Sequence, residues 1–302
     1  MDNFITMLDT QVEMFIYLAI GIYCKKRKFI SKESISNFID VILNILLPCL
    51  ILTSFTQSLS MKMIKQIIIL IVASLGVHLF GFILGKVCYK KEEASKIPPL
   101  RYGTLISNAT FTGFPMVECI YGQIGVFFAA IFLIPFRIFM WTAGISFFTT
   151  SSTKDNIKNI LFNPCIIAIE IGMLLMIFNI HIPELIYTPI KSIGSATTCV
   201  SMIIVGAILE EVDIKSLFEK AIFKFSFIRL ILMPLVILAI LKIFNIDSEL
   251  IAVTVILSAM PAGTTTSILA TKYGADGVFG AKIVFVSTVL SMITVPLITL
   301  LL

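Results

Sequence analysis

Apolar residues run in blocks along this chain, approximately 11–23, 35–56, 66–89, 102–121, 124–148, 163–180, 185–209, 221–243, 250–271 and 278–301. Short polar connections separate them. A helix needs about 20 apolar residues to cross the hydrocarbon of a bilayer, so the pattern predicts an all-α polytopic membrane protein of about ten transmembrane helices. Two blocks are interrupted by polar residues where a membrane helix would carry Leu or Ile. The first interruption is Ser107-Asn108-Ala109-Thr110-Phe111-Thr112-Gly113-Phe114-Pro115, and the second runs from Ser258 through Pro261, Ala262 and Gly263 to Ser267. Proline has no backbone N–H and clashes with the carbonyl four residues back, so each helix must kink or break there. The freed peptide groups tolerate that depth only when buried in protein or facing a polar cavity.

A repeat follows each break. Tyr121-Gly122-Gln123-Ile124-Gly125-Val126-Phe127 and Tyr273-Gly274-Ala275-Asp276-Gly277-Val278-Phe279 share the pattern Y-G-x-x-G-V-F, half a chain apart. Each closes the fourth block of its half. The expected division is therefore 1–150 and 151–302, joined by the polar linker Ser151–Asn159. Five spans per half is an odd number, so the second half enters from the opposite side and the two repeats are inverted, with helices 4 and 9 crossed.

Composition fixes the class and charge sets the orientation. Of 302 residues 58% are hydrophobic and 14% charged, with mean hydropathy +1.03; soluble domains carry about 25% charged residues. The net charge of +5 is spread over short loops, which argues against a nucleic-acid partner. Lys25–Lys28, the Lys86–Arg101 cluster, Lys220 with Lys224, and Lys272 with Lys282 fall on one side; Lys62, Lys65, Lys191 and Lys242 fall on the other. The positive-inside rule then places the dense loops in the cytoplasm and both termini outside, in the cell membrane. Met1–Thr10 has neither a basic region nor a small-residue cleavage site and is not read as a cleaved leader. The six cysteines show no CxxC or Cys/His spacing and read as buried apolar residues rather than disulfides or metal ligands. No cofactor is expected.

The breaks carry the candidate chemistry. A half-helix starting inside the membrane presents N–H groups without intrahelical partners and about half a positive charge, which makes an anion site without a cationic side chain. Pro115 and Pro261 suit the first position of such half-helices. Asn108, Thr110, Thr112, Thr264 and Thr265 offer hydrogen bonds, while Gly113 and Gly263 allow close backbone approach. Against this stands the plainer reading that the prolines only kink packed helices, which is the expectation for Pro48, Pro135, Pro234 and Pro296. Ionisable groups within spans are costly and functional by default. Glu118, one turn after Pro115, either complements the helix dipole or carries a coupling proton. Glu170 and His78 sit near the middle of their spans; the histidine is read as an interhelical hydrogen-bond partner or a proton relay. Arg137 and Arg229 either neutralise an anionic substrate or, as the stronger expectation, pair with Glu170 or Glu118.

The pattern Asn108-x-x-Phe111-x-Gly113-x-Pro115 followed by Tyr121-Gly122 resembles the fourth-span signature of the auxin efflux carrier family. The likeness extends along the chain through Asn44-Ile45-Leu46-Leu47-Pro48, Asn163-Pro164, Ile204–Leu209 and Ser287–Leu297. With no long hydrophilic loop after the fifth span, the chain is similar to the short microbial members. The resemblance implies scaffold helices 1, 2, 6 and 7 and core helices 3–5 and 8–10, moving by an elevator-like alternating access, in a homodimer. It also implies organic-anion substrates, indole-acetic acid in plants and malate or malonate in microbes, with coupling to H+, to Na+ or to neither. Onto this sequence it carries Asn108, Gly113, Pro115 and Pro261. The second break departs from the pattern, with Ser258 where an Asn is expected and only three residues before its proline. A monovalent-cation/proton antiporter of the same architecture is the alternative; it requires a carboxylate at the crossing, and neither window contains Asp or Glu. An intramembrane enzyme lacks its motifs, GxSxG, HExxH or an aspartate pair.

Overall fold

In a computed structural model, described here for residues 2–55, 60–148, 163–210 and 217–302, every regular element is helical. The linker Ser151–Asn159 lies outside these residues. The helices are α1 (Asp2–Lys26), α2 (Lys32–Val41), α3 (Leu47–Ser54), α4 (Met61–Cys88), α5 (Ile97–Leu105), α6 (Phe114–Phe139), α7 (Pro164–Ile177), α8 (Glu184–Leu209), α9 (Lys220–Phe227), α10 (Met233–Ile243), α11 (Ser248–Ala259), α12 (Thr265–Lys272) and α13 (Gly277–Thr299). Three joins are π-helical turns. Ile42–Leu46 links α2 to α3, Ala109–Gly113 precedes α6, and Ile228–Leu232 links α9 to α10. Pro48 and Pro234 each stand two residues after a π-helical turn, within the continuous stretches Glu33–Ser54 and Lys220–Ile243.

Six stretches among the described residues are long and apolar enough to cross a membrane: Glu33–Ser54, Met61–Cys88, Ala109–Phe147, Glu184–Ile208, Lys220–Ile243 and Gly277–Thr299. Two of the ten predicted blocks are not among the six, 11–23 within α1 and 163–180, which forms the 14-residue apolar helix α7; the remaining differences have a physical source. The predicted span 250–271 is divided into α11 and α12, and 102–121 into α5 and the segment that begins at Ala109, so neither is one long helix. The last stretch of the latter continues for 39 residues and contains both the end of one predicted span and all of 124–147. The helix passes Gly122 at φ 57°, ψ −146°. Gly274, its counterpart in the repeat, ends α12 at φ 73°. Left-handed backbone of this kind is cheap only for glycine.

The chain folds as two compact units, each drawing on both halves of the sequence. The first comprises Met1–Ile69, Phe114–Ile131 and Leu161–Glu211. Here α1 lies along α8 at backbone contact: a Cβ on Gly21 would come within 2.0 Å of the Ile203 carbonyl oxygen, and one on Gly206 within 2.1 Å of that of Leu18. Small residues permit this approach where lipid supplies no hydrophobic drive between helices. Phe55, at the end of α3, packs edge-on against Phe127 with ring centroids 5.0 Å apart.

The second unit comprises Leu70–Gly113, Phe132–Ile160 and Val212–Leu302. Its core holds Tyr89, Leu100, Ile222, Phe225, Phe279 and Ile283. Glu219, just ahead of α9, accepts from Lys282 at 2.9 Å and from Lys96 at 3.0 Å. The hydrogen bond from Lys282, with that from Lys96, holds the Glu219 carboxyl below its ordinary range, and the bond to Glu219 raises Lys96 in turn. The expectation of six buried cysteines fails: only Cys165 is buried, Cys119 is exposed, and the rest are half-buried.

Candidate functional site

The two polar breaks meet inside the second unit. Ser107 and Ala262 form an antiparallel bridge, the one isolated β-bridge among the described residues. The Asn108 N–H donates to the Pro261 carbonyl at 2.7 Å and the Gly263 N–H to the Ile106 carbonyl at 3.1 Å. The Ala262 N–H is taken by the Ser287 hydroxyl of α13 at 3.2 Å. Backbone released by breaking two membrane helices is thus satisfied by the other break and by one neighbouring hydroxyl. Four helix ends converge here: α5 and α11 end, while the Ala109–Gly113 turn and α12 begin.

The bridge also corrects one sequence expectation. Pro115 does sit in the first turn of α6, in the first unit. Pro261 does not begin α12; it lies four residues ahead of Thr265, in extended backbone, and offers only its carbonyl. Met260 before it is held at φ −63°, ψ 148°, as a residue preceding proline prefers. A proline there loses no hydrogen bond, because the pairing uses C=O at that position and N–H at the glycine two residues on. The two prolines are alike in sequence and unlike in role.

The carbonyl ends are held by Arg229, 1% exposed, on the π-helical turn between α9 and α10. Its Nε donates to the Met260 carbonyl at 3.1 Å and its Nη1 to the Thr104 carbonyl at 3.1 Å, with Met233 Sδ at 3.4 Å. Those carbonyls belong to the C-terminal ends of α11 and α5, where the helix dipole is negative. The expected pairing of Arg229 with Glu118 or Glu170 is therefore wrong. Its counter-charge is the pair of helix ends.

The amide ends carry no such partner. Asn108 is 2% exposed, and its side-chain Nδ2 is buried with no hydrogen-bond partner. Thr110 is buried beside it, while the Thr112 hydroxyl donates within the turn to the Asn108 carbonyl at 2.7 Å. On the opposing side Thr264 stands at the N-cap of α12 without a side-chain cap bond, and the Thr265 hydroxyl accepts from Tyr102 Oη at 3.1 Å. Thr266 is fully buried with its Oγ1 unpartnered. Gly113 and Gly263 sit in close quarters: a Cβ would meet the end of the Leu257 side chain, Cδ2, at 2.8 Å in the first case and the Ser107 carbonyl oxygen at 3.2 Å in the second.

The ionisable residues are scattered rather than gathered. His78 is buried in the second unit, but its Nδ1 lies 2.6 Å from the Ser74 carbonyl of its own helix, not of another. Phe132, Phe136 and Phe139 surround the ring with centroids at 5.4–5.5 Å. Arg137, in α6, is 5% exposed; Nη1 reaches Met140 Sδ at 3.5 Å, whereas Nε and Nη2 have no partner. It forms no ion pair among the described residues, contrary to expectation. In the first unit, Glu118 accepts from the Thr198 hydroxyl at 3.4 Å, and Glu170 is exposed on α7. A cavity of about 370 Å³ in that unit, lined by Phe55, His181, Glu184 and Tyr187 among others, includes none of the residues singled out from sequence. Sequence reading missed Tyr102 and Ser287, whose signals were single hydroxyls in apolar helices. No cluster suited to a metal ion is present among the described residues.

A family described as "membrane transport protein" matches residues 6–299. The chain is 23% identical to an uncharacterized transporter of Methanocaldococcus jannaschii, over 96% of this chain and 97% of that one. It is 21% identical to an uncharacterized transporter of Methanothermobacter thermautotrophicus, covering 97% and 98%, and 23% identical to the uncharacterized transporter YfdV of Escherichia coli K12, covering 94% of each.

Proposed function

Because the chain belongs to the membrane transport protein family, that of the auxin efflux carriers, we propose that this multi-pass membrane transporter carries small organic anions, bound where its two broken helices cross. The observation that supports an anion is the division of labour at the crossing. A permanent guanidinium, Arg229, occupies the carbonyl ends of α5 and α11, where a cation would have to bind. What is left over is a side-chain donor, the buried Nδ2 of Asn108, beside the positive ends of two half-helices. A monovalent cation would meet a fixed positive charge and find no Asp or Glu in either break. The cation/proton antiporter is therefore disfavoured on electrostatic grounds.

In this reading Asn108, Thr110, Thr112 and Gly113 form one side of the cradle, with Pro261, Gly263, Thr264 and Thr265 on the other. The two halves, 1–150 and 151–302, act as inverted five-helix repeats, helices 3–5 and 8–10 moving against helices 1, 2, 6 and 7 to expose the crossing alternately to each side. Both positive-φ glycines of the Y-G-x-x-G-V-F repeat support the internal symmetry. The protein resides in the cell membrane with both termini outside, as a homodimer, and H+ or Na+ is the coupling ion if there is one. The test is flux: purified protein in liposomes should move a radiolabelled mono- or dicarboxylate, and Asn108→Ala should slow it about tenfold or more while inserting normally. Absence of protein-dependent flux across a broad panel of carboxylates would sink the proposal.

A further inference from the structure

Two arginines are buried in the second unit, and they are used differently. Arg229 donates Nε and Nη1 to two carbonyls. Arg137 does not: Nη1 touches only the thioether of Met140, and the guanidinium lies 5.8 Å from the Phe136 ring centroid. Its two unpartnered nitrogens, Nε and Nη2, form one edge of the guanidinium, with two N–H bonds pointing the same way. That edge is the fork that receives a carboxylate through two parallel hydrogen bonds. A buried charge with a complete, idle fork is costly to leave empty.

The surroundings connect this fork to the crossing. Met140 opens the π-helical turn Met140–Gly144, which packs on α5 so tightly that a Cβ on Gly144 would lie 2.9 Å from the Tyr102 ring. Tyr102 in turn donates its hydroxyl to Thr265 at the start of α12. No Asp or Glu closes on Arg137 among the described residues.

Resting on the proposed anion transport, we infer that the Nε–Nη2 edge of Arg137 binds a carboxylate of the transported ligand, making Arg137 a specificity residue for planar carboxylates over halides and over esterified acids. Tyr102 and the Met140–Gly144 turn are its positioning residues. The crossing supplies neutral donors; Arg137 supplies the charge.

The experiment is calorimetric titration of acetate, malonate and indole-3-acetate, their methyl esters, and chloride into the full chain in nanodiscs, with Arg137→Lys and Asn108→Ala alongside. Lysine keeps the charge and removes the fork. At least one free acid should bind the wild type, its ester and chloride should not, and Arg137→Lys should weaken the acid about 10- to 100-fold. An unchanged affinity in Arg137→Lys, with loss in Asn108→Ala, would overturn the role of Arg137 and leave the crossing as the site. Loss in Arg137→Lys with no change in Asn108→Ala would uphold Arg137 and overturn the crossing. Chloride binding as tightly as the acid would overturn the carboxylate selectivity. No binding of any acid to the wild type would overturn both. Should the lysine variant fail to fold, Arg137→Gln, which leaves no charge unpaired, gives the same comparison.

Discussion

Arg229 and Asn108 sit at one crossing and have opposite consequences when changed. Removing Arg229 leaves the Thr104 and Met260 carbonyls buried at the negative ends of α5 and α11. Each unsatisfied group costs about 1–3 kcal/mol, so Arg229→Met is expected to lower stability by at least about 2 kcal/mol, seen as an earlier thermal melt in detergent. Arg229→Lys should recover only part, since a single ammonium cannot reproduce the two-pronged span between carbonyls. Asn108→Ala, by contrast, removes a buried Nδ2 that has no hydrogen-bond partner and should lower the melt of the unliganded protein less than Arg229→Met does. The sequence exposed both residues as polar groups out of place in apolar blocks. It could not assign the partner of Arg229, because backbone carbonyls are present at every position and only the three-dimensional meeting of two helix ends selects Thr104 and Met260.

At the scale of elements, the left-handed glycines and the loop ion pairs each make a measurable claim. Gly274 closes α12 at φ 73°, and a β-branched residue there would be strained. Gly274→Val should destabilise the protein by about 1–2 kcal/mol, measured against Gly76→Ala, where an added Cβ meets nothing within 4 Å. The Glu219 cluster makes a pH-dependent claim. Its carboxyl is held below the unfolded value of about 4.3, so its stabilisation is present above that value and is lost as pH falls through the lower folded value. Lys96 runs the other way, its contribution fading only as pH rises through its raised value. Glu219→Gln should therefore melt earlier than wild type at pH 7, with the gap closing below about pH 4; a gap independent of pH would mean the carboxylate charge is not what stabilises. Most elements were legible from hydrophobic runs and from Pro and Gly punctuation. The π-helical turns were not, since one extra residue per turn hardly alters an apolar pattern. The register Ser107 opposite Ala262 was hidden because the matching prolines, Pro115 and Pro261, suggest a different alignment.

For the whole molecule, the apolar helices and the family place a transporter in a membrane, and the proposed cargo is an organic anion. Thermal stabilisation of the purified wild-type protein and of Asn108→Ala across mono- and dicarboxylates, sodium and pH separates an anion from a cation as cargo. A ligand that binds only the folded state raises apparent stability by mass action, by about 2.7 kcal/mol at one hundred times its dissociation constant. An anion carrier should show a concentration-dependent upward shift with at least one carboxylate that disappears in Asn108→Ala. A shift with sodium or with pH alone, equal in both proteins and absent with every acid, would contradict it and move the cargo from anion to cation.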